Sequence, residues 1–144
     1  LRLAVLLGAL GLISGCYYKN PYDQQGEVSA SGVAILERGF LADSLAADGM
    51  AHVPADHFAY GSPLYLTVFV SGKGAVVVTA ILRETEAGHD LRAVRVLLPE
   101  APVTASRDIG AALGDLAPGA YYLSIVLNGV PSWGLSFEIL PIAK

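Results

Sequence analysis

The chain is predicted to be all-β, an antiparallel sandwich of about seven strands. Successive segments alternate apolar and polar residues with a period of two, the signature of strands with one buried face. Glycine, proline and Asn-Gly turn signals separate these segments at short spacing. No long helical period intervenes between them to supply a crossover helix. Hydrophobic residues make up 53% of the chain and charged residues 15%, which favours a packed core over disorder. The single cysteine excludes an intramolecular disulfide, so packing alone must hold the domain.

The elements follow in order. Val33 to Leu45 can be laid on a helix, with Leu36, Phe40 and Leu41 to one side. Gly39 weakens that helix by about 1 kcal/mol relative to alanine. An opening strand kinked at Gly39 is the reading taken, because everything downstream is β. Pro63 to Ser71 places Leu64, Leu66, Val68 and Val70 on one face, and Tyr65, Thr67 and Phe69 on the other. Gly72-Lys73-Gly74 is expected to turn the chain into a strand from Ala75 to Glu84. Glu86 to Asp90 turns it again into Leu91 to Leu98, which Pro99 is expected to end. Tyr121 to Leu127, the turn Asn128-Gly129 and a return strand from Trp133 to Leu140 form a hairpin. Its return strand directs Trp133, Leu135, Phe137 and Ile139 inward.

Upstream lies a different kind of segment. Arg2, an apolar run from Leu3 and then Ser14-Gly15-Cys16 have the anatomy of a secretory signal. The run is too short to span a bilayer, which needs about 20 apolar residues. Leu12-Ile13-Ser14-Gly15-Cys16 resembles the lipobox of bacterial lipoproteins. That resemblance implies cleavage between Gly15 and Cys16, and a diacylglyceryl group with further acylation at Cys16. Two or three chains hold a protein on a membrane where one would not. Tyr17, standing where the inner-membrane retention signal has aspartate, implies the outer membrane of the cell envelope. The expected organisation is a signal peptide at 1–15, the lipidated cysteine and a polar flexible tether at 16–32, and one β domain at 33–144.

A second resemblance rests on Leu116-Ala-Pro-Gly-Ala-Tyr-Tyr-Leu-Ser-Ile-Val-Leu-Asn-Gly129, which is similar to the corner and following strand of immunoglobulin-like and fibronectin type III-like domains. It implies an immunoglobulin-like sandwich with a structural tyrosine whose hydroxyl bonds back to the corner backbone. The two-residue period favours Tyr121 in that role; the fibronectin spacing favours Tyr122. Antibody-type domains are excluded, because there is no cysteine pair and no tryptophan on the strand after Gly74.

Few residues are candidates for chemistry. His52 and His57, with Asp48 and Asp56, could meet only in a loop, and solvated loop histidines are the simpler reading. His89-Asp90 falls in a turn, and no serine sits in a nucleophile-elbow pattern. No catalytic residue, metal ligand set or cofactor beyond the lipid is assigned, and the chain is expected not to be an enzyme. A net charge of −4 speaks against nucleic acid, which needs a basic patch. Tyr65 and Phe69 form a possible binding surface if outward, with Trp133 near the Asn-Gly turn; alternatively Val33 to Leu45 covers the stripe. Arg83, Arg92 and Arg95, with Glu84 and Glu86, are expected to form cross-strand pairs.

These readings lead to the expectation of an outer-membrane-anchored, non-catalytic lipoprotein acting as adaptor or accessory to a protein partner in the envelope. A small-ligand or glycan-binding module, using Tyr60 and Trp133, is the alternative. Cys16→Ser is expected to release the protein from the membrane fraction and to abolish lipid labelling in cells; a serine variant that stays membrane-bound removes the anchor.

Overall fold

The computed structural model describes residues 33–144. The signal segment 1–15, the cleavage point between Gly15 and Cys16, and the tether 16–32 lie outside the described residues. What is described is nearly all β: β1 Ile35–Ala42, β2 His57–Ala59, β3 Tyr65–Arg83, β4 Asp90–Asp108, β5 Gly119–Leu127 and β6 Val130–Leu140, with one helical turn, α1 Gly110–Leu113. The six strands join into a single curled sheet in the order β1-β3-β5-β6-β2, and β4 pairs with β3 beside that path. All pairings are antiparallel except β2 with β6.

The two long strands correct two expectations. Gly72-Lys73-Gly74 does not reverse the chain. Gly72 and Gly74 take φ of 85° and 99°, and β3 runs through them for 19 residues with a shift in register. Positive φ at glycine bends a strand as readily as it turns one. Pro99 does not end β4, which continues to Asp108. Among the described residues β4 has only β3 as a neighbour, and proline is tolerated on an edge strand because it needs to give up no ladder bond there.

The bend lets β3 serve two groups of strands. Its first half, Tyr65 to Val70, lies between β1 and the Val103–Asp108 part of β4. Its second half, Val76 to Arg83, lies between the Asp90–Leu98 part of β4 and β5. The core follows the alternation: Leu66, Val68 and Val70 before the bend, Val76, Val78, Ala80 and Leu82 after it, all buried in one cluster. Leu123, Ile125 and Leu127 of β5 and Phe137 and Ile139 of β6 complete it.

The Val33 to Leu45 stretch forms a strand over Ile35–Ala42, and its irregularity sits at Glu37 rather than at Gly39. A bulge between Leu36 and Arg38 shifts the alternation by one, so that Leu36 and Leu41 both reach the main core. Gly39 shares that face, where a Cβ would lie 2.8 Å from Ile125 Cδ1 and 3.5 Å from Trp133. Phe40 and Ala42 point the other way, into a second cluster with Ala51.

Gly72 is also a point where the chain passes close to itself, since a Cβ there would overlap the Val33 carbonyl. A Cβ on Gly74 would meet nothing. Gly74→Ala therefore carries only backbone strain, about 1–2 kcal/mol. Gly72→Ala adds the overlap and is expected to cost about 3 kcal/mol or more. Urea denaturation of the two variants checks this; equal losses would show that the close approach contributes nothing.

Candidate functional site

The aromatic stripe proposed from the sequence is covered. Thr67 is fully buried, its hydroxyl 2.7 Å from that of Ser106, and Ser106 Oγ accepts the Ala51 N–H at 3.0 Å. Phe69 is half-buried against Phe40, ring centroids 6.1 Å apart, and the Arg38 guanidinium lies 5.1 Å and 6.0 Å from the two rings. Tyr65 is half-buried beside them. β1 and the segment after it therefore close over the stripe within the same molecule. Trp133 sits within β6, opposite Ile125, and packs on the main core instead of standing at a loop tip. Tyr65, Phe69 and Trp133 do not form an open aromatic surface.

Both tyrosines of the corner are structural. The Tyr121 hydroxyl donates to the Ala117 carbonyl at 2.7 Å, and its ring stacks on Phe137 at 5.6 Å. Phe58 meets the same Phe137 edge-on at 6.0 Å. Tyr122 is buried on the other face, over Gly134, where no Cβ could fit.

The histidines separate into two pairs. His52 Nε2 lies 2.8 Å from Asp48, whose other oxygen accepts the Met50 N–H at 2.9 Å. The Met50 N–H first, and then His52, hold the Asp48 carboxyl below its ordinary value. His57 Nδ1 lies 2.7 Å from Asp56, and its Nε2 lies 3.4 Å from Glu138. Asp56 chiefly, with Glu138 adding a smaller effect, raises the His57 pKa. Glu138 escaped sequence reasoning because parallel pairing of β2 with β6 brings it opposite His57 from the far end of the chain. Among the described residues no group of three or more histidine, cysteine or acidic side chains could hold a metal.

His57 opens onto a groove of about 410 Å³, lined also by Glu84, Glu86, Tyr121 and Ser136. Both of its ring nitrogens face carboxylates, which leaves neither to take a proton from Ser136. A second cleft of about 340 Å³ beside α1 holds Tyr60, Asp108 and Asp115. Asp108 already accepts the Gly110 N–H there, at 2.9 Å. Neither cleft assembles a nucleophile with a base.

The feature with the widest reach is the edge of β4. Among the described residues this 19-residue strand is paired along one side only. Over Arg92 to Leu98, Val94, Val96 and Leu98 pack on the core, while Ala93, Arg95 and Leu97 face outward; Leu91 is the extra residue of a bulge between Asp90 and Arg92. Leu97 is 69% exposed and Leu91 45%. The arginines do not form the expected pairs with Glu84 and Glu86: Arg83 binds Asp90 at 2.7 Å, and Arg92 donates to the Leu113 carbonyl.

Compared with known protein families and with curated proteins, the chain finds no match. Among solved structures it is similar to the alkylpurine DNA glycosylase AlkC of Pseudomonas fluorescens bound to DNA containing an abasic-site analogue. Identity is 13% and the TM-score 0.47, over 74% of this chain and 30% of that one. The expectation of an outer-membrane adaptor lipoprotein, with a glycan- or small-ligand-binding module as its alternative, is corrected by these findings. The likeness runs to a DNA glycosylase, and Trp133, a main support for ligand stacking, is packed within the fold. At this identity and score the likeness brings neither an activity nor DNA to this chain.

The His57 pair has a consequence for pH. Its raised pKa means that its stabilising effect is fully present below the unfolded value of 6.5 and fades as pH rises through the folded value. The pair is solvent-exposed, so the effect is small. The difference in denaturation midpoint between the wild type and His57→Gln is expected to shrink from pH 5.5 to pH 9 and to shrink further in high salt. A constant gap would place the contribution in packing.

Proposed function

We propose that the domain works by binding rather than catalysis, receiving an extended polypeptide strand along the open edge of β4. The observation that carries this is the pairing of β4 on one side only, with a regular stretch that matches β3 residue for residue from Arg92 to Leu98. Such an edge presents a row of backbone donors and acceptors, and strand addition uses them for affinity while outward side chains give selectivity. The net charge of −4 favours a polypeptide over a phosphate backbone as the partner. Lipid attachment at Cys16 and residence in a bacterial cell envelope belong to the same proposal, on the sequence of residues 12–16.

An immunoglobulin-like sandwich is the finer reading of the fold. It is supported by the grouping of β1 with the first half of β3 and the end of β4, and of the start of β4 with the rest of β3, β5 and β6. Those are two sheets' worth of strands, with β3 and β4 passing from one group to the other. The Tyr121 hydroxyl bond to Ala117 supports the same reading.

Hydrogen exchange on the full chain tests strand addition. The probe is a synthetic peptide copying Val76 to Arg83, the segment that already pairs with β4 on its other side. Amides of Asp90 to Leu98 that exchange quickly in the free chain are expected to become protected. Protection confined to other strands, or none at saturating peptide, would overturn the proposal.

A further inference from the structure

On the strand-addition reading above, we infer that the strand received at Arg92 to Leu98 carries a carboxylate opposite Arg95 and an apolar residue opposite Leu97. The partner is then a polypeptide segment that is acidic on its outward face. Over this stretch β4 and β3 match one to one, so the faces of the edge are defined. Of Arg83, Arg92 and Arg95, two are engaged: Arg83 binds Asp90 at 2.7 Å, and Arg92 donates to the Leu113 carbonyl. Arg95 is exposed and has no hydrogen bond or ion pair among the described residues.

On the outward face, Ala93, Arg95 and Leu97 stand opposite Ile81, Thr79 and Val77 of β3. Beyond them, Ser124 and Val126 of β5 stand opposite Ile81 and Thr79. Arg95 is the one charge among these side chains, and no carboxylate of its own sheet stands across from it. A guanidinium takes a carboxylate through two parallel N–H bonds, and opposite charges across a strand pair contribute where like charges destabilise. Leu97, two residues along the same face, is 69% exposed, and an apolar residue opposite covers it. Inward, Val94, Val96 and Leu98 are half-buried at the rim of the core, so the partner residues between and beside those two extend it by being apolar. A charge pointing inward would bar every strand from such an edge. Arg95 faces outward, and so selects among strands instead of barring them. The chain's net charge of −4 works the other way, since at long range it attracts a basic peptide. A preference for the acidic strand has to come from contact at the edge.

The test uses the full chain and the Val76–Arg83 peptide in its unchanged, Thr79→Glu and Thr79→Lys forms. In the register that β3 itself uses, residue 79 stands opposite Arg95 and Val77 opposite Leu97. Glutamate and lysine are both depleted in strands, so comparing them isolates charge. Titrations read by exchange of the Arg92–Leu98 amides are expected to show the Glu peptide binding about fivefold more tightly than the Lys peptide, with the difference shrinking in high salt. Arg95→Glu in the protein is expected to reverse the order, and Arg95→Gln to remove the preference for glutamate. Equal affinities for the two peptides, a preference for lysine, or an order that Arg95→Glu leaves unchanged overturns the inference while leaving strand addition standing. Absence of protection by any of the peptides removes the strand-addition reading as well.

Discussion

Strand β3 has to line two parts of one core with a single run of backbone, and the positive φ at Gly72 and Gly74 is the constraint that makes this possible. Every pairing that β3 makes is arranged around it. β1 and the end of β4 flank the strand before the bend; β5 and the start of β4 flank it afterwards. A residue with a Cβ at Gly72 would overlap Val33 just where the chain enters β1, so the bend and the entry are fixed together. Because β4 follows β3 along its whole length, it inherits the same two-part course. Its outer side is therefore left as a long edge.

The alternation of residues was readable well before the pairing of strands was. Leu64, Leu66, Val68 and Val70, or Leu123, Ile125 and Leu127, declare a buried face through local periodicity alone, and they are buried. The glycines at 72 and 74 were equally visible as positive-φ positions. Whether such a pair reverses a strand or bends it depends on what lies on either side, and β1 and β4 come from distant sequence. Pro99 misled for the same reason. Proline excludes a central strand, and only the finished sheet reveals that β4 is an edge. The outward stripe at Tyr65, Thr67 and Phe69 was correctly read as one face; the hydroxyl bridge from Thr67 to Ser106 that helps to bury it joins residues with no local relation.

The acidic groove and the β4 edge differ in what they can contribute to binding. In the groove, His57, Asp56 and Glu138 are exposed and already satisfied by one another, and exposed ion pairs contribute at most about 1 kcal/mol each. Exchanging one partner for another there gains little. On β4 the outward backbone groups and Leu97 have only solvent opposite them among the described residues, so a pairing strand adds ladder bonds and apolar burial together. The edge can gain from a partner through what it lacks as well as through what it displays.

The same edge carries features that limit it. Pro99 and Pro102 have no N–H to offer, and the register against β3 shifts between Val70 and Val76, opposite this part of β4. Arg92, which would otherwise put a mobile charge beside the open stretch, is held by the Leu113 carbonyl next to α1. Prolines and bulges are the means by which edges avoid unlimited pairing, and here they stop the regular ladder at Leu98. They leave Arg92 to Leu98 uninterrupted, and a bulge at Leu91 bounds that stretch at its other end. An edge blunted from end to end would point to simple protection against aggregation. One blunted beyond Leu98 and at Leu91, but open between them, offers a single strand a stretch of defined length to pair with.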